Sequence, residues 1–585
     1  MRLLRSSVTS LLCSSLLLLT ACTSTEGPAD SGIAPDTGPA DTGTPPADAA
    51  VDAGEPDTGV QLPPTICDEL GLAKQPMQPG ASTYEFGAVA GDFTIKTLEG
   101  DTWNLADHWT GCESYLFVNY IATNSNFQDQ FWDSRVDDLV LNTPVNAHIF
   151  FLSWERTQGF RDARLQDIKD RIVAIIYDRF PDEEDRLQQF ARFHYANESV
   201  FAIEGSIGAF ITDYIAYQGD SANAVDLGDR GMAPPPLPWA FGIDRDQEWD
   251  SGGSMNEYVG GPPALRMASY LPHFYNHKAD LRDQQAAETG VETLVLLDER
   301  VSERIFVRQV NLPSASEMDS YDTVEFDVTV NCPHRNVFGC SEWDRIGYVQ
   351  LCLDGEACEQ RTELVRWITP YWRRGERRWI MDASSLRGFV KDGGPTWFRL
   401  VMGPGWERAT ERDARFALRL ADKQIGTKTS SAVRAFTGGS FNDQYNDREP
   451  FSFTPPASAT KVELVVIVSG HGQDGSTNCS EWCDHRHQFA VNGTDLDEIR
   501  HEGSIGSTGG CGPLAAQGVP PGQYGNWAPE RAYWCPGLPV NHIRVDITDK
   551  VTLGQANSMT YSANFRGGAP GGGNIDLTSY VVWSE

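Results

Sequence analysis

Two kinds of hydrophobic pattern divide this chain near residue 290. Before it, apolar runs alternate with helical spacing. Residues 92–98 alternate at period two and end in a Gly100-Asp101 turn. Residues 114–120 and 147–154 are apolar almost throughout, as strands buried on both faces are. The spacing predicts helices over 162–177 and 183–195, and a strand over 239–244 after Pro238. A β–α–β–α–β order predicts a mixed sheet with helices packed on it. After 290 the helical period fades. Runs at 324–330, 461–468 and 542–547 alternate at period two between Gly/Pro/Asn clusters, the pattern of an all-β sandwich.

The first 64 residues fit neither pattern. Arg2 and Arg5 precede an apolar run, Leu11 to Leu19, too short to span a bilayer. The run ends in Leu19-Thr20-Ala21-Cys22, which resembles a bacterial lipobox. That resemblance implies a signal peptide over 1–21 and a lipid on Cys22. Residues 23–64 carry eight acids and no Lys or Arg, with Asp-Thr-Gly recurring at 36, 41 and 57. Such a segment cannot bury a core and reads as a tether, 22–64. The expected place is the cell envelope, on its outer-membrane or extracellular face, with membrane contact through the lipid alone.

Charge and cysteines sharpen this picture. The chain has 81 acids against 47 bases, a formal charge of −34, which repels phosphate backbones and argues against a nucleic-acid partner. Without Cys13 and Cys22, ten of the twelve cysteines remain, an even number that implies disulfides in an exported protein. Spacing pairs Cys332 with Cys340, Cys352 with Cys358 and Cys479 with Cys483. That leaves Cys67 with Cys112 and Cys511 with Cys535. No Cys-x-x-Cys pair has a matching second pair, so no zinc site is expected. Asp244, Asp246, Glu248 and Asp250 alternate like part of a calcium loop. The spaced Gly and closing Glu are missing, and a solvated turn is the expectation.

Two segments of the β-rich half echo one another: Cys340-Ser-Glu-Trp-Asp-Arg345 and Cys479-Ser-Glu-Trp-Cys-Asp484. They imply two related β-domains, 291–427 and 428–585. In an extended chain Glu342 and Asp344 share a face, and Glu481 has the opposite parity from Ser480 and Trp482. A short disulfide loop holds each segment, and rigid loops place carboxylates accurately.

The region 65–290 resembles the thioredoxin-like superfamily through Gly91-Asp92-Phe93, the strand at 114–120 and Pro238, which sits where that family has a cis-proline. Its catalytic turn reads Ile121-Ala-Thr-Asn-Ser-Asn-Phe127 without a cysteine, so the region is expected to be redox-inactive. The half from about 290 is similar to bacterial peptide-N-glycosidase F. The motifs are Cys-x-Glu-Trp-Asp-Arg at 340–345, Ile-Thr-Pro-Tyr-Trp at 368–372, Ser-Gly-x-Gly at 469–472, Cys-x-Glu-Trp-Cys at 479–483 and Gly-Asn-Trp-Ala-Pro-Glu-Arg-Ala-x-Trp-Cys-Pro-Gly at 525–537. The resemblance implies two antiparallel jelly rolls side by side after the α/β domain, and the disulfides 332/340, 479/483 and 511/535. It implies hydrolysis of the GlcNAc–asparagine amide of an N-glycosylated protein or peptide, with no metal or other cofactor.

Site roles follow from the same resemblance. Asp344 and Glu481 fall on the catalytic acids, and Arg531 on a cleft arginine suited to a developing oxyanion. Arg345 would orient Asp344 or bind sugar hydroxyls. Trp372, Trp406 and Trp534 are candidate sugar platforms. There are two departures: Pro404 stands where the family has a third acid, with Glu407 displaced but near, and His471 replaces a family aromatic residue. Pro404 motivates an alternative, a weak or inactive glycan- or protein-binding lipoprotein. A third reading takes His485 and His487 as a copper pair in an architecture resembling peptidylglycine α-hydroxylating monooxygenase. That enzyme needs a second His cluster, which the sequence does not offer.

Overall fold

The computed structural model describes residues 65–80, 87–121, 130–219, 238–258, 261–332, 341, 343–371, 373, 375–407, 411–426, 428–472, 479–501, 503, 505–565 and 570–585. The signal, Cys22 and the tether lie outside these residues, as do the turn at 122–127, Cys340, Glu342 and Trp372. No helix among the described residues is long and apolar enough to cross a membrane.

The N-terminal region is built on a five-stranded mixed sheet. Its order is Phe193–Ser199, Ala147–Ser153, Ser114–Tyr120, Ala240–Ile243, Trp249–Ser251. The first three strands run parallel, and the last two pair antiparallel. Ser114–Tyr120 is buried at every position, which explains its unbroken apolar run. Helices Gln158–Arg179 and Leu265–Ala287 pack on the sheet. The helix expected over 183–195 ends at Phe190, and Phe193–Ser199 is an edge strand instead. Its mixed polar pattern, Phe-His-Tyr-Ala-Asn-Glu-Ser, hid it, because one strand edge meets only a partly covered face.

The C-terminal half is antiparallel throughout its sheets. A four-stranded sheet (375–382, 323–332, 412–421, 292–301) faces a five-stranded one (305–314, 393–401, 346–352, 361–368, 539–540), and their inner faces share one apolar core. A second pair of sheets is led by Thr429–Ser440, Asn574–Ser584 and Lys461–His471, and by Asn557–Phe565 and His485–Val491. Pro539–Val540 leaves the second pair to hydrogen-bond Arg366 and Trp367 of the first.

Disulfides join Cys67–Cys112, Cys352–Cys358, Cys479–Cys483 and Cys511–Cys535. Cys332 is also disulfide-bonded, and its expected partner lies outside the described residues.

The core of the N-terminal sheet does not stop at residue 290. Its apolar cluster continues through Tyr371, Cys511, Ala515, Val519, Trp527 and Ala528. Polar contacts follow the same path. Ser254 N donates to Gly522 O (2.9 Å) and Ser254 Oγ to Gln523 O (2.9 Å). Arg373 Nη2 meets Asp250 Oδ2 at 3.0 Å, and Arg373 Nε donates to Pro521 O at 2.9 Å. The Asp244–Asp250 turn is therefore not the solvated turn expected. Asp244 is buried, Lys278 Nζ lies 2.9 Å from Asp244 and 2.5 Å from Glu248, and Arg282 pairs with Asp246. These amines and guanidiniums hold the place a calcium ion would need.

Candidate active site

Residues 343–345 of the first motif copy and 479–482 of the second take different shapes. Cys479–Trp482 is a single helical turn closed by the 479–483 disulfide, with Cys483 N donating to Cys479 O (3.0 Å). The parity argument for an extended chain fails there, because a four-residue loop between bonded cysteines must coil. In the first copy Arg345 N donates to Trp343 O (2.9 Å), a tight bend that throws Asp344 toward the second copy. Gly470 lets the helical turn sit down on its strand: a Cβ there would stand 1.6 Å from Ser480 O.

Arg531 joins the two copies. Its side chain is fully buried. Nη2 lies 3.5 Å from Asp344 Oδ2, and Nε donates to Glu481 Oε1 at 3.4 Å. Nη2 also donates to the Tyr371 hydroxyl (2.9 Å), which in turn donates to Asp344 Oδ2. Nη1 is fixed by Pro529 O at 2.8 Å. The guanidinium lies 4.7 Å from the Trp482 ring centre and 4.9 Å from that of Trp534. Ala532 N donates to Glu481 O (3.0 Å), so the segment carrying Arg531 also holds the turn carrying Glu481.

Burial dominates the electrostatics. It raises the Asp344 carboxyl above its ordinary value, against the pull of Arg531 and the Tyr371 hydroxyl. Burial and the nearby Asp344 charge push Glu481 up to about 7. Burial, with the Asp344 charge behind it, also raises the Tyr371 phenol, so it remains a donor. The result is two close carboxylates, one able to hold a proton near neutrality, with a cation and a phenol between them.

Other candidates fall in different places. Trp406 is 76% exposed, with the Arg345 guanidinium 4.8 Å from its ring centre, and remains open as a platform. Trp534 does not. It is buried, its Nε1 donates to Gly470 O (2.7 Å), and His471 stacks on it at 4.8 Å. It supports Arg531 rather than offering a face. Trp343, which the motif reading passed over, is half exposed and meets Tyr371 edge-on at 6.3 Å. Glu407 cannot stand in for the missing third acid. It is buried between Arg304 Nη1 (3.1 Å) and Arg345 Nε (3.4 Å), and Ser341 donates to it.

His485 and His487 are committed inside the second core. His485 Nδ1 bonds His487 Nε2 (3.0 Å), His485 Nε2 meets Ser480 O (2.8 Å) and His487 Nδ1 the Tyr561 hydroxyl (2.8 Å). All four ring nitrogens are thereby engaged, and burial lowers His485 to about 4. Among the described residues no group of three or more His, Cys, Asp or Glu could hold a metal ion.

Part of the chain is similar to known proteins. The family "Peptide-N-glycosidase F, C terminal" matches residues 440–582. A curated relative from Elizabethkingia miricola, peptide-N(4)-(N-acetyl-beta-D-glucosaminyl)asparagine amidase F, is 25% identical over 293 residues, which is 46% of this chain and 75% of the relative.

The C-terminal half resembles peptide-N-glycosidase F.

Solved structures of peptide-N-glycosidase F agree in extent. One, from Flavobacterium meningosepticum, is 20% identical with a TM-score of 0.40 and covers 51% of this chain and 96% of its own. A second, a crystal structure of the same amidase, is 21% identical with a TM-score of 0.41 and covers 50% and 96%.

Tyr371 is the site residue that motif reading missed. It sits inside Ile-Thr-Pro-Tyr-Trp beside the candidate Trp372, and a Tyr in an apolar motif reads as core. Only its contacts with Asp344 and Arg531 set it apart.

Proposed function

We propose that this protein is an amidase that hydrolyses the GlcNAc–asparagine bond of N-glycoproteins or glycopeptides. The single observation that carries the reading is Arg531, fully buried between Asp344 and Glu481 on the two motif copies. Ionised Asp344 takes a proton from water as the water oxygen bonds to the amide carbon. Arg531 would offset the charge that develops on the carbonyl oxygen, while the Tyr371 hydroxyl, donating to Asp344, holds that carboxylate in place. Protonated Glu481 donates to the departing nitrogen as the carbon–nitrogen bond breaks, leaving aspartate and a glycosylamine. Proton exchange with solvent restores both carboxyls. Arg345 and Trp406 border the approach and would contact sugar hydroxyls and a ring face.

The finer parts of this reading rest on sequence. Two jelly rolls, 291–427 and 428–585, would carry the chemistry. The region 65–290 would be a thioredoxin-like scaffold without redox function, supported by its parallel pair 114–120 and 147–153 and its antiparallel strand 240–243. Cleavage before Cys22 and lipidation would tether the enzyme to the envelope. A metal would have no part in turnover, since a guanidinium already bridges the two carboxylates.

Incubating the full chain with a denatured N-glycopeptide tests the proposal. Glycan loss with conversion of asparagine to aspartate, read by mass, supports it. Binding of an unchanged glycopeptide favours a second reading, a receptor on the same fold. Pro404 motivates that reading, because no acid replaces it and Glu407 is locked in ion pairs.

A further inference from the structure

A second groove runs between the two β-sandwiches and shares no lining residue with the candidate active site. It holds about 740 Å³, within the range of small-molecule sites. Strands 346–352, 361–368 and 393–401 form one wall, and 429–440 and 574–584 the other. Gln350 lies opposite both Glu363 and Arg399 across its neighbours, and Cys352 opposite Arg361, so these side chains share one face.

Arg361, Arg399 and Arg434 line this groove, and their partners are all neutral. Arg399 Nη1 donates to Gln350 Oε1 (2.7 Å), Arg361 Nη1 to Cys358 O (3.1 Å) and Arg434 Nη1 to Arg361 O (3.0 Å). A guanidinium carries five donors, so most of this capacity faces the groove or solvent. Burial, with the Arg361 charge behind it, lowers the Arg399 guanidinium. Two acids of the lining, Glu363 and Asp576, share one cation behind them. Arg366 makes a two-pronged pair with Glu363 (2.8 Å on each oxygen) and reaches Asp576 Oδ1 at 3.1 Å. With Arg366 counted, four cations meet the three acids Glu359, Glu363 and Asp576, a small positive excess in a chain whose acids outnumber its bases 81 to 47.

We propose that this groove binds a short anionic oligosaccharide, one carrying sulfate or carboxylate groups. Guanidiniums on both walls would grip the charged substituents. Gln360, Thr437 and Asn574 on the rim offer amides and a hydroxyl to sugar hydroxyls, and Gly439, with open space where a Cβ would stand, keeps one wall low enough for a ring. The charge of −34 disfavours a long polyanion, which would bring many charges against the acidic surface outside the groove.

The test uses the full chain and three labelled six-sugar probes: a heparin fragment, an oligogalacturonate and a neutral maltose oligomer. At least one anionic probe binds, and its affinity falls as salt rises. Arg399→Gln and Arg434→Gln each weaken binding by about tenfold, the loss expected for a charge-assisted hydrogen bond. Glu359→Gln strengthens it. Asp344→Asn leaves it unchanged, which separates this site from the amidase reading. Equal binding of the neutral probe, no binding of either anion, or full affinity in the doubly substituted Arg399→Gln, Arg434→Gln protein overturns the proposal.

Discussion

The two Cys-Ser-Glu-Trp segments share four letters and little else. The copy at 479–482 is a helical turn that presents its third residue, Glu481. The copy ending at Arg345 bends at Trp343–Arg345 and presents its fifth, Asp344. Both carboxylates arrive at the same guanidinium. Repeated sequence thus delivers chemically similar groups from different positions, and the selecting element is a third segment, 527–535, that contains neither copy. Trp527, Ala528 and Cys535 of that segment belong to the apolar core of the N-terminal mixed sheet. Gln523 Oε1 accepts from Tyr371 N (2.8 Å), while Gln523 Nε2 donates to Pro520 O and Pro536 O, both at 2.9 Å.

If the first copy supplies the base, Asp344→Asn keeps its shape and lowers turnover by at least about 10²-fold. Circular dichroism should show an unchanged fold, and turnover at the parent's rate would remove Asp344 from its role. The second copy should matter less. Glu481→Gln lowers kcat by roughly 10- to 10²-fold, and it also changes two pH profiles. In the parent, kcat/KM falls as pH rises through about 7, because the proton that Glu481 donates is lost. The substitution abolishes that limb.

Stability moves the other way. Because the Glu481 carboxyl is raised on folding, its ionisation costs the folded state nothing below pH 4.5. The cost grows up to about 7 and persists above. Glu481→Gln therefore raises Tm at pH 8, by an amount equivalent to about 3 kcal/mol at most, and leaves it unchanged at pH 4. Equal Tm shifts at both pH values would contradict the buried, charge-coupled setting of this acid.

The bridge between the copies is open to a gentler change. Tyr371→Phe removes the hydroxyl that links Asp344 to Arg531 and keeps the ring in the core, lowering kcat about tenfold with little change in KM. Asp250→Asn acts one step further back, through Arg373 and Pro521. We expect about a fivefold loss of kcat, partly restored by Asp250→Glu. A purely local role for Asp250 predicts a fall in Tm without that kinetic change. EDTA treatment has the smallest expected effect, none on turnover.

Much of this was legible from the sequence. Period-two alternation marks strands with one wetter and one dry face, such as His485–Val491, whereas Lys461–His471 is buried at nearly every position. Unbroken apolar runs marked 114–120 and 147–153 because both faces are covered. Short spacing identified Cys352–Cys358 and Cys479–Cys483, and Cys67–Cys112 and Cys511–Cys535 followed as the pairs that remained. The edge strand 193–199 escaped, because a partly covered edge carries no clear period. Trp534 was misjudged as a platform and Glu407 as a substitute acid, because exposure and ion pairing are set by residues far along the chain: Gly470 for one, Arg304 and Arg345 for the other.

The amino-acid order by itself determined which segments become strands or helices, which cysteines can meet, and which carboxylates are available. Those properties depend on neighbours within a few residues, where steric and hydrophobic periodicity act. Only the tertiary structure decided that Asp344 and Glu481 face one another across Arg531, that Tyr371 joins them, and that the core behind this site belongs to the N-terminal sheet. Such contacts join residues 27 to 187 positions apart. No local pattern records them, because they arise when separate apolar faces find a common interior and carry their polar groups to its edge.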